Sequence, residues 1–217
     1  MLTEIAREQM IEQQVRAWNV LDERTLDTLR RVPRERFTPP AWRELAFADC
    51  AIPLAHGKRM LPPMLIGKIL QALEIKDGEE ILEIGTGSGF LTACLATLGG
   101  RVRSLELHAD IAASARSNLS AAAAELPIEV VEADGMQLSE EARYDAIVLT
   151  ASLPLYQTRF ERSLRPGGRL FVVVGQAPLM KATLVRRRGA TDWRSEVLFE
   201  TCIEVLEHAI WPPAFGF

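Results

Sequence analysis

Three groups of residues in this 217-residue chain have types and spacings suited to chemistry. The first is Glu83-Ile84-Gly85-Thr86-Gly87-Ser88-Gly89, set between two apolar runs. Glycines at alternate positions allow a tight turn and remove the Cβ atoms that would hold a ligand away from the backbone. A helix starting behind them offers its free N–H groups to that ligand. The second is Glu106, 17 residues beyond Gly89, where a carboxylate can accept both hydroxyls of a ribose. The third is Asp134-Gly135, whose carboxylate can accept a hydrogen bond from an adenine amino group. Taken singly, each acid is an ordinary residue at a strand end. Three successive strand ends that each carry a suitable group point to a nucleoside ligand.

The glycine spacing narrows the choice. A dinucleotide site usually reads G-x-G-x-x-G, with a pyrophosphate on the helix N-terminus. Here the third glycine comes one residue early, and Glu83 precedes the first. An acid there repels a pyrophosphate but suits S-adenosylmethionine, which carries a sulfonium and an ammonium. The pattern favours the methyl donor over NAD.

These groups need a scaffold that presents strand ends side by side. Strand-like runs at 80–84, 102–107, 128–131, 144–150 and 170–174 alternate with helical segments at 90–98, 109–124 and 156–164. Such alternation predicts parallel βαβ units with right-handed crossovers, a Rossmann-like doubly wound α/β sheet that is mostly parallel. Ligands of such sheets sit beyond the carboxyl ends of the strands, where strand order reverses. Runs at 182–187 and 197–205 flank a turn at 189–192 and predict an antiparallel C-terminal edge hairpin. Before the sheet, Leu2, Ile5, Met10, Ile11 and Val15 form a helical stripe. Asp22 heads a second helix through Leu26, Leu29 and Val32, which Pro33 ends. Residues 33–63 read as extended chain with short helices, and 64–73 as a further helix.

Composition sets the outer bounds. The balance of 25 basic against 29 acidic residues gives a net charge of −4, so a broad cationic grip on nucleic acid or on anionic membrane is not expected. No apolar run approaches the roughly 20 residues of a membrane span. Cys50, Cys94 and Cys202 are far apart and odd in number, and read as reduced thiols of a cytoplasmic protein. His56, His108 and His208 have no metal-ligand spacing, so no metal site is expected. Trp211, Phe215 and Phe217 give the tail three aromatic rings, which either pack on its own core or cover a site.

Beyond these local patterns, the chain resembles a known family along nearly its whole length. ILEIGTGSGF at 81–90 resembles the first motif of class I methyltransferases, and specifically of protein-L-isoaspartate O-methyltransferases. The stretch 10–37, with V-P-R-E-x-F at 32–37, resembles that family's N-terminal signature, and DCAIPLAHG at 49–57 its lead into the substrate loop. VEADG at 131–135, YDAIVLTAS at 144–152 and LRPGGRLFVVVG at 164–175 resemble its later motifs. The resemblance implies one methyltransferase domain over 1–217. Within it, 1–76 is a helical extension with the substrate loop, 77–176 the cofactor-binding core, and 177–217 the edge hairpin and tail. It implies that Gly85, Thr86, Gly87, Ser88 and Gly89 wrap the methionine portion of S-adenosylmethionine, with Glu83 beside them. Glu106 and Leu107 would hold the ribose, Asp134 and Gly135 would flank the adenine, and Thr150 would stand near the transferring methyl.

The resemblance breaks at one place. The family usually reads G-Q-T-I-S-x-P in the substrate loop, where the hydroxyls face the isoaspartyl carboxylate. This chain reads Gly57-Lys58-Arg59-Met60-Leu61-Pro62-Pro63, with Leu61 at the position of the family's active-site serine. The catalytic residue is therefore left unassigned, and His56, Lys58, Arg59 and Leu61 are the candidate substrate-binding residues. A guanidinium holds a carboxylate in a two-pronged grip, so Arg59 can stand in for the missing hydroxyls. Three acceptor readings stay open: an isoaspartyl peptide or protein, a small anionic acceptor, and a non-catalytic relative that only binds the cofactor.

Overall fold

Residues two apart along a strand share a face, and the central strands of this chain use both faces for apolar packing. In β3 (Glu80–Ile84) of this computed structural model, Ile81 joins one buried cluster while Leu82 and Ile84 join another. The structure describes residues 2–213. Preceding β3 are α1 (Leu2–Met10), α2 (Glu23–Arg31), α3 (Arg34–Phe37), the short antiparallel pair β1 (Ile52–Pro53) and β2 (Arg59–Met60), and α4 (Pro63–Leu73). After β3 come α5 (Phe90–Thr97), β4 (Arg101–Glu106), α6 (Ala109–Ala123) and β5 (Ile128–Glu132). Then follow β6 (Tyr144–Leu153), α7 (Thr158–Arg162), β7 (Leu164–Gln176), β8 (Leu179–Arg187) and β9 (Trp193–Thr201).

The seven-stranded sheet has the order β5-β4-β3-β6-β7-β8-β9. Its first five strands pair in parallel, and β8 and β9 add an antiparallel edge, as the sequence predicts. Strand order reverses at β3, whose neighbours are β4 on one side and β6 on the other. One face of the sheet lies under α2, α4 and α5, through Leu26, Leu29, Ile66, Leu70 and Leu95. The other lies under α7 and the turn after β5, through Phe160 and Met136. Asp22 caps α2 as expected, accepting from the Thr25 N–H at 2.9 Å.

β6 and β8 are each three residues longer than the sequence reading, and three other boundaries differ more. The segment 156–164 forms only the five-residue α7, because Leu164 already pairs with Tyr144 in the sheet. The fifth parallel strand is correspondingly long, running through Pro166-Gly167-Gly168 as an irregularity in register instead of starting after it. The second hairpin arm is Trp193–Thr201 and not 197–205, since the chain leaves the sheet after Thr201. Of the tail aromatics, Trp211 is exposed, while Phe215 and Phe217 lie outside the described residues.

Beneath the site, Arg169 locks the amino ends of the strands to the helical extension. It is 5% exposed, grips both oxygens of Glu79 at 2.7 and 2.6 Å, and donates to the carbonyls of Leu73, Glu74 and Asp145. Burial pushes the Glu79 carboxyl up, but hydrogen bonds from Arg169 and the Lys76 N–H outweigh it and hold it below the usual carboxylate range. That contribution to stability is complete above the ordinary carboxylate pKa and is lost as pH falls through the depressed one. Arg169→Met strands Glu79 and three carbonyls, so unfolding in urea at pH 7 is expected to show a loss of about 3 kcal/mol. A loss under about 0.5 kcal/mol, the level of an ordinary surface substitution, contradicts this role.

Candidate functional site

The glycine cluster becomes a loop between β3 and α5. Gly85, Gly87 and Gly89 all have positive φ, at 92°, 54° and 85°. At Gly85 the need is doubled: a Cβ would lie 2.3 Å from the Thr150 hydroxyl. That hydroxyl donates to the Gly85 and Ile84 carbonyls at 2.7 and 3.1 Å, tying the loop to the carboxyl-terminal part of β6. Glu106, the last residue of β4, pins the loop from the other side. Its carboxylate accepts from the Gly87 N–H at 2.9 Å and the His108 N–H at 3.2 Å. Asn118, which the sequence reading did not single out, donates to the Ser88 carbonyl from α6.

Glu83 is fully buried. One carboxylate oxygen accepts from the hydroxyls of Thr92 at 2.5 Å and Ser104 at 2.6 Å, and Ser104 in turn meets the Thr86 hydroxyl at 2.6 Å. The other oxygen has no hydrogen-bond partner among the described residues. Burial pushes this carboxyl up to about 7, against the lowering effect of the two hydroxyls, and the nearby Glu106 adds to the rise. A desolvated carboxylate with one unpaired oxygen is suited to a cationic hydrogen-bond donor.

A cavity of about 450 Å³ opens at these strand ends. Glu83, Gly85, Thr86, Gly87 and Ser88 line it, with Glu106, Leu107, Asp134, Gly135 and Thr150 from the neighbouring strands. Lys58, Arg59 and Leu61 face them from the loop around β2. Two candidates do not line it. Gly89 sits behind, at the start of α5, where an added Cβ would press on Leu119 at 3.1 Å. His56 is displaced outward, where its ring stacks on His108 at 4.2 Å and bonds Asp110 at 2.9 Å.

Asp134 accepts from the Met136 N–H through one oxygen and bonds His208 Nδ1 at 2.9 Å through the other. Next to it, Gly135 is required for space, since a Cβ would meet Ile84 Cγ2 at 2.3 Å. The three histidines, which show no metal-ligand spacing in the sequence, each face a carboxylate: Asp110, Glu207 and Asp134. Among the described residues no cluster of His, Cys, Asp and Glu could hold a metal ion, and no helix is long and apolar enough to cross a membrane.

The largest omission from the sequence reading is the segment 201–207, which lines the cavity after leaving β9. The fully buried Ser152 fixes it by exchanging backbone bonds at 2.8 Å with Glu204 and Leu206. Its acids engage the substrate loop: Lys58 Nζ lies 2.8 Å from Glu207, and Arg59 Nε 3.1 Å from Glu204. Both cations are therefore paired across the cavity mouth. No local spacing could have revealed this, because Arg59 and Glu204 are 145 residues apart.

A family model described as protein-L-isoaspartate(D-aspartate) O-methyltransferase matches residues 5–204. The chain is 40% identical over 188 residues to the protein-L-isoaspartate O-methyltransferase of Methanoculleus marisnigri, covering 86% of this chain and 85% of that one. Against protein-L-isoaspartate O-methyltransferase 2 of Pelobacter propionicus the figures are 38% over 197 residues, 90% and 87%. In fold it is similar to a solved Plasmodium falciparum structure, described as a beta-aspartate methyltransferase (PCMT) in complex with S-adenosyl-L-homocysteine. That likeness has a TM-score of 0.80 at 19% identity, and covers 93% of this chain and 98% of that one. With a match of this extent and relatives of this similarity, the chain belongs to the protein-L-isoaspartate(D-aspartate) O-methyltransferase family, enzymes that take their methyl group from S-adenosylmethionine.

Proposed function

We propose that this chain methylates the carboxylate of an isoaspartyl residue in a peptide or protein, with S-adenosylmethionine held at the strand ends of the sheet. The observation that carries this reading is the meeting of Glu83, Glu106, Asp134 and the Lys58–Leu61 loop on one cavity. The unpaired Glu83 oxygen fits the ammonium of the methyl donor, and Gly85–Ser88 line the part of the cavity that suits its methionine portion. Glu106 and Leu107 take the ribose, Asp134 and Gly135 flank the adenine, and Thr150 closes the wall nearest the transferring methyl.

When bound, S-adenosylmethionine would supply a sulfonium methyl group for in-line transfer to a carboxylate oxygen, with S-adenosylhomocysteine as the leaving group. A carboxyl of ordinary pKa is already ionised at pH 7, so this chain has no proton to remove. Its residues position the acceptor and keep water out, an effect that can be worth several kcal/mol. Arg59 is the cation that presents itself at the mouth, where Glu204 occupies it. An acceptor carboxylate takes the place of Glu204 on that guanidinium. Leu61 supports a second reading, in which the acceptor is a smaller anion, because it removes the hydroxyl that the family's peptide substrates meet.

Release of S-adenosylhomocysteine with an isoaspartyl peptide, against the same peptide carrying L-aspartate, tests the proposal. Turnover confined to the isoaspartyl peptide supports it, and turnover with neither, but with a small carboxylate, favours the second reading. Arg59→Ala is expected to lower kcat/KM for the acceptor by about tenfold or more, the effect of losing one charge-assisted hydrogen bond. Unchanged kcat/KM would remove Arg59 from the acceptor site. Leu61→Ser is expected to raise isoaspartyl turnover several-fold by restoring a hydrogen bond. No gain over the parent chain shows that specificity is set elsewhere in the cavity.

A further inference from the structure

Arg34, the first residue of α3, is 0% exposed, and among the described residues no carboxylate is close enough to it for an ion pair. Its Nε donates to the Ala46 carbonyl at 2.8 Å, and its Nη2 donates to the Leu61 carbonyl at 2.7 Å. The guanidinium carbon lies 4.8 Å from the centre of the Phe90 ring, and Nη1 has no hydrogen-bond partner. Burial pushes its pKa down to about 10, which still leaves it charged at pH 7. The Ala46 and Leu61 carbonyls take their hydrogen bonds from two different nitrogens of one guanidinium, and removing it leaves both without that donor. The demand for a guanidinium here is therefore geometric.

The three contacts define that geometry. Ala46 and Leu61 flank the stretch that contains β1, the His56-Gly57 turn and β2. Phe90 is the first residue of α5, immediately behind the glycine loop. Leu61 and Phe90 both line the cavity. One planar, multi-donor group thus sets the distance between the loop that faces the acceptor and the loop that faces the methyl donor. A lysine has a single ammonium and cannot serve two carbonyls and a ring face in the same way. Thr38 steadies the arginine by donating to its backbone carbonyl at 3.1 Å.

We propose that Arg34 is a positioning residue for methyl transfer, which fixes the acceptor loop against the glycine loop through the Leu61 carbonyl without itself touching either substrate. This rests on the acceptor reading above. Its signature is a loss on the acceptor side alone. In Arg34→Met, KM for the isoaspartyl peptide is expected to rise at least tenfold, while the dissociation constant for S-adenosylmethionine stays within twofold. Hydrogen exchange should quicken at the amides of residues 59–61 and not in β3 or β4. Arg34→Lys, which keeps the charge with poorer geometry, should fall between the two. If Arg34→Met does not fold, Arg34→Lys carries the test, with exchange at 59–61 as the deciding readout. The proposal is overturned if the folded variant leaves KM and loop exchange unchanged. It is equally overturned if acceptor KM rises and S-adenosylmethionine affinity falls together, while exchange rises throughout the sheet. A parent chain with no turnover on isoaspartyl peptide would defeat the acceptor reading instead, and the exchange measurement would still decide the role of Arg34.

Discussion

A carboxylate sealed from water with only one of its oxygens hydrogen-bonded is costly, by about 1–3 kcal/mol or more, and the strands on either side hold Glu83 in that condition. Its position at the carboxyl-terminal end of β3 puts it where strand order reverses. The hydroxyls of Thr92 and Ser104 satisfy one oxygen, and Thr86 extends the chain back into the glycine loop. The loop can then turn away from β3 only through Gly85, where the Thr150 hydroxyl excludes a Cβ. The unmet demand of Glu83, the bare turn and the Glu106 clamp on Gly87 form one unit on the cavity wall. A fold without a cationic ligand to offer would gain by replacing that carboxylate with an apolar residue.

The acceptor side is built on a different principle. The short β1–β2 pair and the segment after β9, which are remote in sequence, are tied across the cavity largely by charge. Lys58 and Arg59 reach Glu207 and Glu204, His108 shares Glu207, and Arg34 anchors Leu61 from behind. Exposed pairs of this kind contribute little to stability, typically up to about 1 kcal/mol each. They can therefore exchange partners when an anionic substrate arrives, whereas the cofactor side is fixed by buried hydrogen bonds.

Much of the cofactor side was legible because its signals are local. Glycine punctuation after a short apolar run marked β3 and its loop, and Glu106 and Asp134 fell at the strand ends that the alternation required. The parallel core followed from the alternation of strand-like and helical runs, and the edge hairpin from two strand-like runs around the turn at 189–192. The remainder depended on contacts that no local pattern encodes. The Pro166-Gly167-Gly168 stretch looks like a helix stop, yet Gly167 at φ 86° lets β7 continue past it. Glu204 and Glu207 look like ordinary exposed acids until Ser152 brings them across the cavity. His56 lay close in sequence to the substrate loop but was turned out by its stack on His108. Arg34 stood within a recognised motif, but its burial and its reach to Leu61 belong to the tertiary structure.

The measurement that bears most directly on the cofactor site is carboxyl carbon NMR of Glu83, assigned with Glu83→Gln and followed against pH with and without S-adenosylmethionine. In the free protein the carboxyl is expected to titrate near pH 7, where burial has moved it. With the cationic methyl donor bound, it should remain ionised well below that pH, because an opposite charge favours the ionised form. A midpoint that is the same with and without S-adenosylmethionine would contradict the placement of the ammonium beside Glu83, and with it the reading of this cavity.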